Sequence, residues 1–125
     1  MKFNKQKDAG VKRISRLTST MDIKRVRRSG KSYAHPLMVL IIKPNELGRS
    51  RFAVSAGRSV GKAVQRNRAK RMLREAIRPL IVSITTGWDI VLIARQPQSS
   101  ASFQDTQMAL IELLQRAQLL YANNN

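Results

Sequence analysis

The stretch RFAVSAGRSVGKAVQRNRAKRMLREAIRPLIVSITTGWDIVLIA, residues 51–94, reads as strand, helix, strand, and the rest of the chain is placed around it. Arg51 to Ala56 forms the first strand and Ala63 to Ile84 a long helix. On a helical projection Ala69, Met72, Leu73, Ala76, Ile77 and Leu80 share one side, while Lys70, Arg71, Arg74 and Arg78 fall on the adjacent one. Pro79 kinks this helix or ends it early, because a proline inside a helix loses a backbone bond and clashes with the preceding turn. Thr86 and Gly87 then turn the chain into a nearly unbroken apolar run, Ile90 to Ala94, the pattern of a buried central strand.

Working outward, Ser32 to Lys43 is rich in aliphatic and branched residues and reads as one strand, closed by Pro44, Asn45 and Gly48, with Pro36 marking an edge or bulge. The short connection to Arg51–Ala56 predicts an antiparallel hairpin between the two. Upstream, Thr18, Ser19 or Thr20 caps a helix that Gly30 ends. Its apolar positions Met21, Ile23 and Val26 leave a basic face of Lys24, Arg25, Arg27 and Arg28. Downstream, Ser102 caps a last helix with Asp105 in capping-box position, and Phe103, Ala109, Leu110, Leu113, Leu114 and Ala117 repeat on one side. Trp88 and Phe103 are expected in the core. The order α-β-β-α-β-α, with room for one more short strand, argues for an α+β sandwich in a single domain.

Charge is the extreme feature: 24 Lys and Arg against 7 Asp and Glu give a net charge of +17. Such an excess self-repels in a compact chain and points to a polyanionic partner, nucleic acid before all. Residues 1–78 hold 22 basic and four acidic residues, whereas residues 79–125 hold only Arg95 and Arg116 against three acids. Binding is therefore expected in the first part of the chain. Residues 1–16 read as a basic arm, 17–122 as the folded domain and 123–125 as a tail. With no cysteine there is no disulfide framework and no thiolate metal site. Neither a secretory signal nor a membrane span is read, which makes a cytoplasmic protein the expectation.

The densest signal is GRSVGKAVQRNRAKRMLR, Gly57 to Arg74, where Lys62, Arg66, Arg68, Lys70, Arg71 and Arg74 precede the first acid, Glu75. Like charges at helical neighbour spacing each cost a few tenths of a kcal/mol, about what a favourable pair gains, so a phosphate-rich partner explains them better than propensity does. Arginine forks hold phosphate through two bonds or stack on bases, and Asn67 can both donate to and accept from RNA edges. GRSVGKA is similar to a nucleotide-binding loop, but the spacing is one residue short and Ala63 stands where a magnesium-binding hydroxyl is needed. The following strand also lacks an acid. Gly57 and Gly61 instead bring backbone amides near an RNA phosphate at the helix start.

Gly61, Ala63, Arg66, Asn67, Lys70, Arg71 and Arg74 spell a glycine, an alanine and R-N-x-x-K-R-x-x-R, which resembles the signature of the bacterial ribonuclease P protein component. The likeness extends from Arg16 and Leu17 through Asp22, Gly30 and Ser32 to Gly87, Asp89 and residues 93–95. It implies a mixed sheet of about four strands with three helices and a left-handed β-α-β crossover, where most crossovers are right-handed. It also implies a noncatalytic subunit. The RNA subunit of the ribonucleoprotein, with magnesium, hydrolyses the phosphodiester joining the 5′ leader to transfer RNA. The protein binds no cofactor itself and needs no other protein. In that scheme Arg66, Asn67, Lys70, Arg71 and Arg74 dock the RNA subunit, with Arg58, Gly61, Lys62 and Arg68 assisting. The leader of precursor transfer RNA lies in a cleft between the first helix and the sheet. Candidate cleft residues are Arg16, Ile23, Arg27, Tyr33 and Ile41. This chain departs from the family there, since Ile23 and Arg27 stand where aromatics are common and Ile41 where one is sometimes found, and the lysines often seen before the first motif glycine are partly absent, Arg58 being followed by Ser59.

Other chemistry is sparse. His35 is the only histidine and is expected to be structural. Asp89 and Glu75 have no acidic partner nearby and are expected in salt bridges or caps, leaving no catalytic residue and no metal site. The rivals to the ribonuclease P reading are a ribosomal-type or other general RNA-binding protein, which would bind RNA without promoting cleavage, and a free-standing nuclease, which would cleave alone.

Overall fold

The computed structural model describes residues 16–121; the expectations for residues 1–15 of the basic arm and for the tail lie outside them. The first helix, α1, is Thr20–Ser29. Of the three possible caps Ser19 is used, its Oγ accepting from the N–H of Asp22 at 3.3 Å. Gly30 ends the helix, but with an extended backbone (φ −80°) and not a left-handed one. Glycine is required here by space. A Cβ would lie 2.5 Å from the Val26 carbonyl oxygen, 2.7 Å from that of Ile42 and 2.8 Å from Ile41 Cγ2. Gly30→Ala is accordingly expected to cost about 1–3 kcal/mol by overpacking, read as a lower urea midpoint at unchanged m-value; a loss under about 0.5 kcal/mol would contradict this account.

The single strand expected over Ser32–Lys43 is two, β1 (Lys31–Ala34) and β2 (Met38–Pro44), paired antiparallel. Proline has no N–H to give to a ladder, so Pro36 takes a tight turn closed by His35 N–H to Met38 O (2.9 Å) and Met38 N–H to His35 O (3.2 Å). His35 is structural in this turn: its Nδ1 accepts from the N–H of Leu37 at 3.0 Å.

The expected hairpin between β2 and β3 (Arg51–Ala56) does not form. The sheet order is β1-β2-β4-β3, and β4 (Trp88–Ala94) inserts between them, antiparallel to β2 and parallel to β3. The two strands keep the antiparallel direction that their short connection demands, but they are not neighbours. The physical reason lies in composition. The apolar run of β4 needs cover on both faces and both edges, whereas β3 alternates Phe52 and Val54 with the polar or small Arg51, Ala53 and Ser55, a pattern suited to an edge.

Between β3 and β4 runs α2 (Ala63–Ile77), which continues as a 3₁₀ segment, Arg78–Ser83. Pro79 thus ends the α-helix seven residues before the expected boundary at Ile84. The last helix, α3 (Phe103–Arg116), is capped as expected, Ser102 Oγ accepting from Asp105 N–H at 3.0 Å.

One sheet face is covered by α2 and α3. Leu40, Ile42, Phe52, Ile90 and Leu92 meet Ala69, Leu73, Ala76, Ile77, Leu110, Leu113 and Leu114 there in the main core. α1 covers part of the other face, with Leu17 and Val26 against Ile41 and Val91. Trp88 packs on the edge of the main core, but Phe103 is 42% exposed. It is the first residue of α3, and the space beneath that turn is taken by Gln98 and Thr106, both fully buried.

Candidate nucleic-acid interface

The entry to α2 is built by a buried Val60 in the 3₁₀ turn Arg58–Val60, followed by Gly61 at φ 142°, a conformation that favours glycine. The Gln65 carboxamide oxygen accepts from the N–H of Lys62 at 2.6 Å and fixes the first turn, leaving Arg58 and Lys62 exposed. Farther along, burial of Ala69, Leu73, Ala76 and Ile77 sets the roll of the helix. Arg66, Lys70 and Arg74 then form one i,i+4 row, with Asn67 and Arg71 beside it. Among the described residues none of these five side chains makes a hydrogen bond or ion pair, so the cations remain available to a ligand.

Arg68 is different. It lies on the other flank and donates from Nη1 to the Ser99 carbonyl at 2.7 Å, tying the 3₁₀ segment Gln96–Ser100 to α2. Under that segment Gln98 Nε2 donates to Thr106 Oγ1 at 2.8 Å, while Gln98 Oε1 is buried without a partner among the described residues. Nothing in the sequence marks this Gln and Thr as a buried pair.

A second polar network holds α1 on the sheet. Arg51 makes a two-bond fork to Asp89, Nε to Oδ1 at 2.8 Å and Nη2 to Oδ2 at 2.7 Å. Its Nη1 lies 3.6 Å from Asp22 Oδ2, and Asp22 also pairs with Arg25 at 2.8 Å. Asn45 Nδ2 donates to Asp89 Oδ1 at 2.9 Å. Burial pushes the Asp89 pKa up, but the hydrogen bonds from Arg51 and Asn45 and the nearby positive charge outweigh it, leaving the carboxyl below its ordinary range. Asp89 is thus in the salt bridge expected of it; Glu75 is exposed and pairs with nothing among the described residues.

The cleft candidates separate by face. Arg16 bridges to Phe52 beside β3, and with Leu17, Thr18 and Ile23 it lines a cleft of about 560 Å³. The far wall of this cleft is Arg74, Ile77 and Arg78, so it joins two predicted cleft residues to the basic flank of α2. Arg27 is exposed one turn on from Ile23, and Ile41 is buried beneath α1. Past α1, Val39, Ala53, Ser55 and Ile93 form a half-exposed stretch of sheet face. Tyr33 stands apart, because it pairs with Leu40 in the β1–β2 register and packs with the main core on the opposite face.

The family model for ribonuclease P matches residues 11–118. The chain belongs to the ribonuclease P protein family. The ribonuclease P protein component of Herpetosiphon aurantiacus is 41% identical over 109 residues, covering 87% of this chain and 89% of that protein. The corresponding Chloroflexus aggregans protein is 39% identical over 111 residues, covering 88% and 82%. Among solved structures, the ribonuclease P protein of Staphylococcus aureus is similar with a TM-score of 0.76 at 30% identity, covering 84% of this chain and 96% of that one. That of Thermotoga maritima gives 0.73 at 32% identity, covering 82% and 96%. The R-N-x-x-K-R-x-x-R motif of residues 66–74 is therefore one flank of α2, with Asn67 and Arg71 exposed and Arg66, Lys70 and Arg74 half-buried. Among the described residues of this family member no three of His, Asp and Glu come together in a way that fits a metal ion, and the two carboxylates that share Arg51, Asp22 and Asp89, are occupied by arginines. Nor is any described helix long and apolar enough to cross a membrane.

Proposed function

We propose that this chain is the noncatalytic protein subunit of a ribonuclease P ribonucleoprotein, docking on the RNA subunit through Arg66, Asn67, Lys70, Arg71 and Arg74. The observation that carries the reading is the row of cations on one flank of α2 that pair with no acid among the described residues and are fixed in roll by the apolar flank. Arg58, Gly61 and Lys62 extend the row at its N-terminal end, and Arg68 assists from the other flank. The 5′ leader of precursor transfer RNA runs along the α1 side of the sheet, past Arg16, Ile23 and Arg27. Small and aliphatic residues there offer little stacking, so the leader is held mostly by charge, and Ile41 acts from below as support for α1. Tyr33 faces away from this path. Magnesium belongs to the RNA, which performs the hydrolysis, and the work is done in the cytoplasm.

The test is cleavage of a precursor transfer RNA bearing a 5′ leader, at low magnesium, by a bacterial ribonuclease P RNA with and without the protein. The expected result is that the protein alone is inert and raises cleavage by the RNA at least tenfold. Binding without stimulation across several bacterial ribonuclease P RNAs would favour a general RNA-binding role, and cleavage by the protein alone would overturn the noncatalytic assignment.

A further inference from the structure

Tyr33 left the cleft but not the surface. Together with Ile42, Trp88 and the end of α3 it lines a groove of about 670 Å³, within the range of about 300–1,000 Å³ usual for ligand sites. The groove lies on the α3 side of the sheet, over β1, β2 and the start of β4, at the opposite edge from β3 and the basic flank of α2. Its charged groups, Lys31, Lys43 and Arg116, are all cationic. Lys31 Nζ is 5.8 Å and Arg116 Cζ 6.0 Å from the centre of the Tyr33 ring, and no carboxylate side chain among the described residues lines the groove. Arg116 spends Nη1 on the Ala34 carbonyl at 2.8 Å, leaving Nε and Nη2 without a partner among the described residues. Lys31 is exposed and makes no ion pair there. Arg116 is, moreover, one of only two basic residues in the last 47 of the chain, and it is placed here.

We infer that this groove is a second, independent contact for single-stranded RNA, taking one unpaired nucleotide with its base against Tyr33 and Trp88 and its phosphate on Lys31 and Arg116. Aromatic side chains serve any base through its π face and cations track the backbone, the combination that binds single strands without sequence preference. The exposed Gln118 amide at the rim can meet a base edge. The inference rests on the RNA-binding reading for its ligand class alone, since the groove shares no residue with the α2 flank.

Trp88 is the chain's single tryptophan, so its fluorescence reports on this groove. The experiment titrates the full chain with hexauridylate at low salt and compares Lys31→Glu, Tyr33→Leu and the double variant Arg66→Ala/Arg71→Ala, each first shown to melt as the parent does. The expected result is saturable quenching, weakened at least about fivefold by either groove substitution and changed less than about twofold in the α2 variant. Absence of quenching, quenching indifferent to Lys31 and Tyr33, or quenching lost in the α2 variant would overturn the inference. So would quenching by hexaglutamate in place of hexauridylate, which would assign the groove to an acidic protein segment. If the α2 variant keeps full affinity for ribonuclease P RNA while the groove titration behaves as expected, the docking assignment falls and the groove stands.

Discussion

Arg51→Ala is expected to cost about 3–5 kcal/mol of folding stability, because it leaves the buried Asp89 carboxylate without its principal counter-charge. The Asp89 side chain is 5% exposed, and after the substitution Asn45 is the one side chain among the described residues that still donates to it. A loss of that size is a large part of the about 5–15 kcal/mol that holds a domain together and lowers the melting temperature by about 10 °C or more. The pH dependence carries a sign that tests the cause. In the parent the Asp89 pKa is lowered by folding, so its contribution is fully present above the ordinary carboxylate range and is lost as pH falls through the folded pKa. Without Arg51 the burial that raises the pKa dominates. The variant's deficit should therefore be largest near neutrality and shrink as the solution is acidified. Replacing both partners, Arg51→Met with Asp89→Leu, should recover most of the loss, since no buried charge is left behind. Urea melts between pH 3 and 7 provide the measurement; a deficit under about 1 kcal/mol, or one that does not change with pH, would mean that the fork between β3 and β4 does not stabilise the fold.

The double variant Arg66→Ala/Arg71→Ala should bind ribonuclease P RNA at least about 100-fold more weakly, at about 1.5–3 kcal/mol for each charge-assisted hydrogen bond to phosphate. Affinity alone would not separate docking from misfolding, so the salt dependence matters more. Every phosphate that the protein no longer neutralises takes about 0.7–0.9 from the slope of log affinity against log salt, and the pair should flatten it by about 1.4–1.8. Both side chains lie clear of the core, so the melting curve should hardly move. Arg68→Ala provides the contrast. Its guanidinium is committed to Ser99, and its loss is expected to loosen the Gln96–Ser100 segment while weakening RNA binding less. An unchanged slope in the double variant would remove α2 as the docking surface.

The parts legible without coordinates were those with local causes. The apolar stripe of α2, the Ser102 cap, the stop at Pro79 and the turn chemistry around Asn45 each depend on residues within a few positions, and periodicity or side-chain chemistry reports them directly. The R-N-x-x-K-R-x-x-R signature is of the same kind, because a helix converts its spacing into one flank. Where residues compete for a long-range partner, the sequence was silent or misleading. The short β2–β3 connection predicted neighbours, yet the preference of the Ile90–Ala94 run for a central position put β4 between them. The Arg51–Asp89 fork follows only from that insertion, which sets the two residues side by side in the parallel register.

Tyr33 shows the distinction at a single position. Its presence in a strand was readable, but a strand sends successive side chains to opposite faces, and one residue of register decides which face each one meets. By itself the sequence determined the helices, the strand segments apart from the break at Pro36, the basic flank and the family, because all of these are written in local spacing and charge. The tertiary structure alone decided the strand order, the buried arginine–carboxylate fork and the face on which Tyr33 lies, because each depends on which distant strand pairs with which, and in what register.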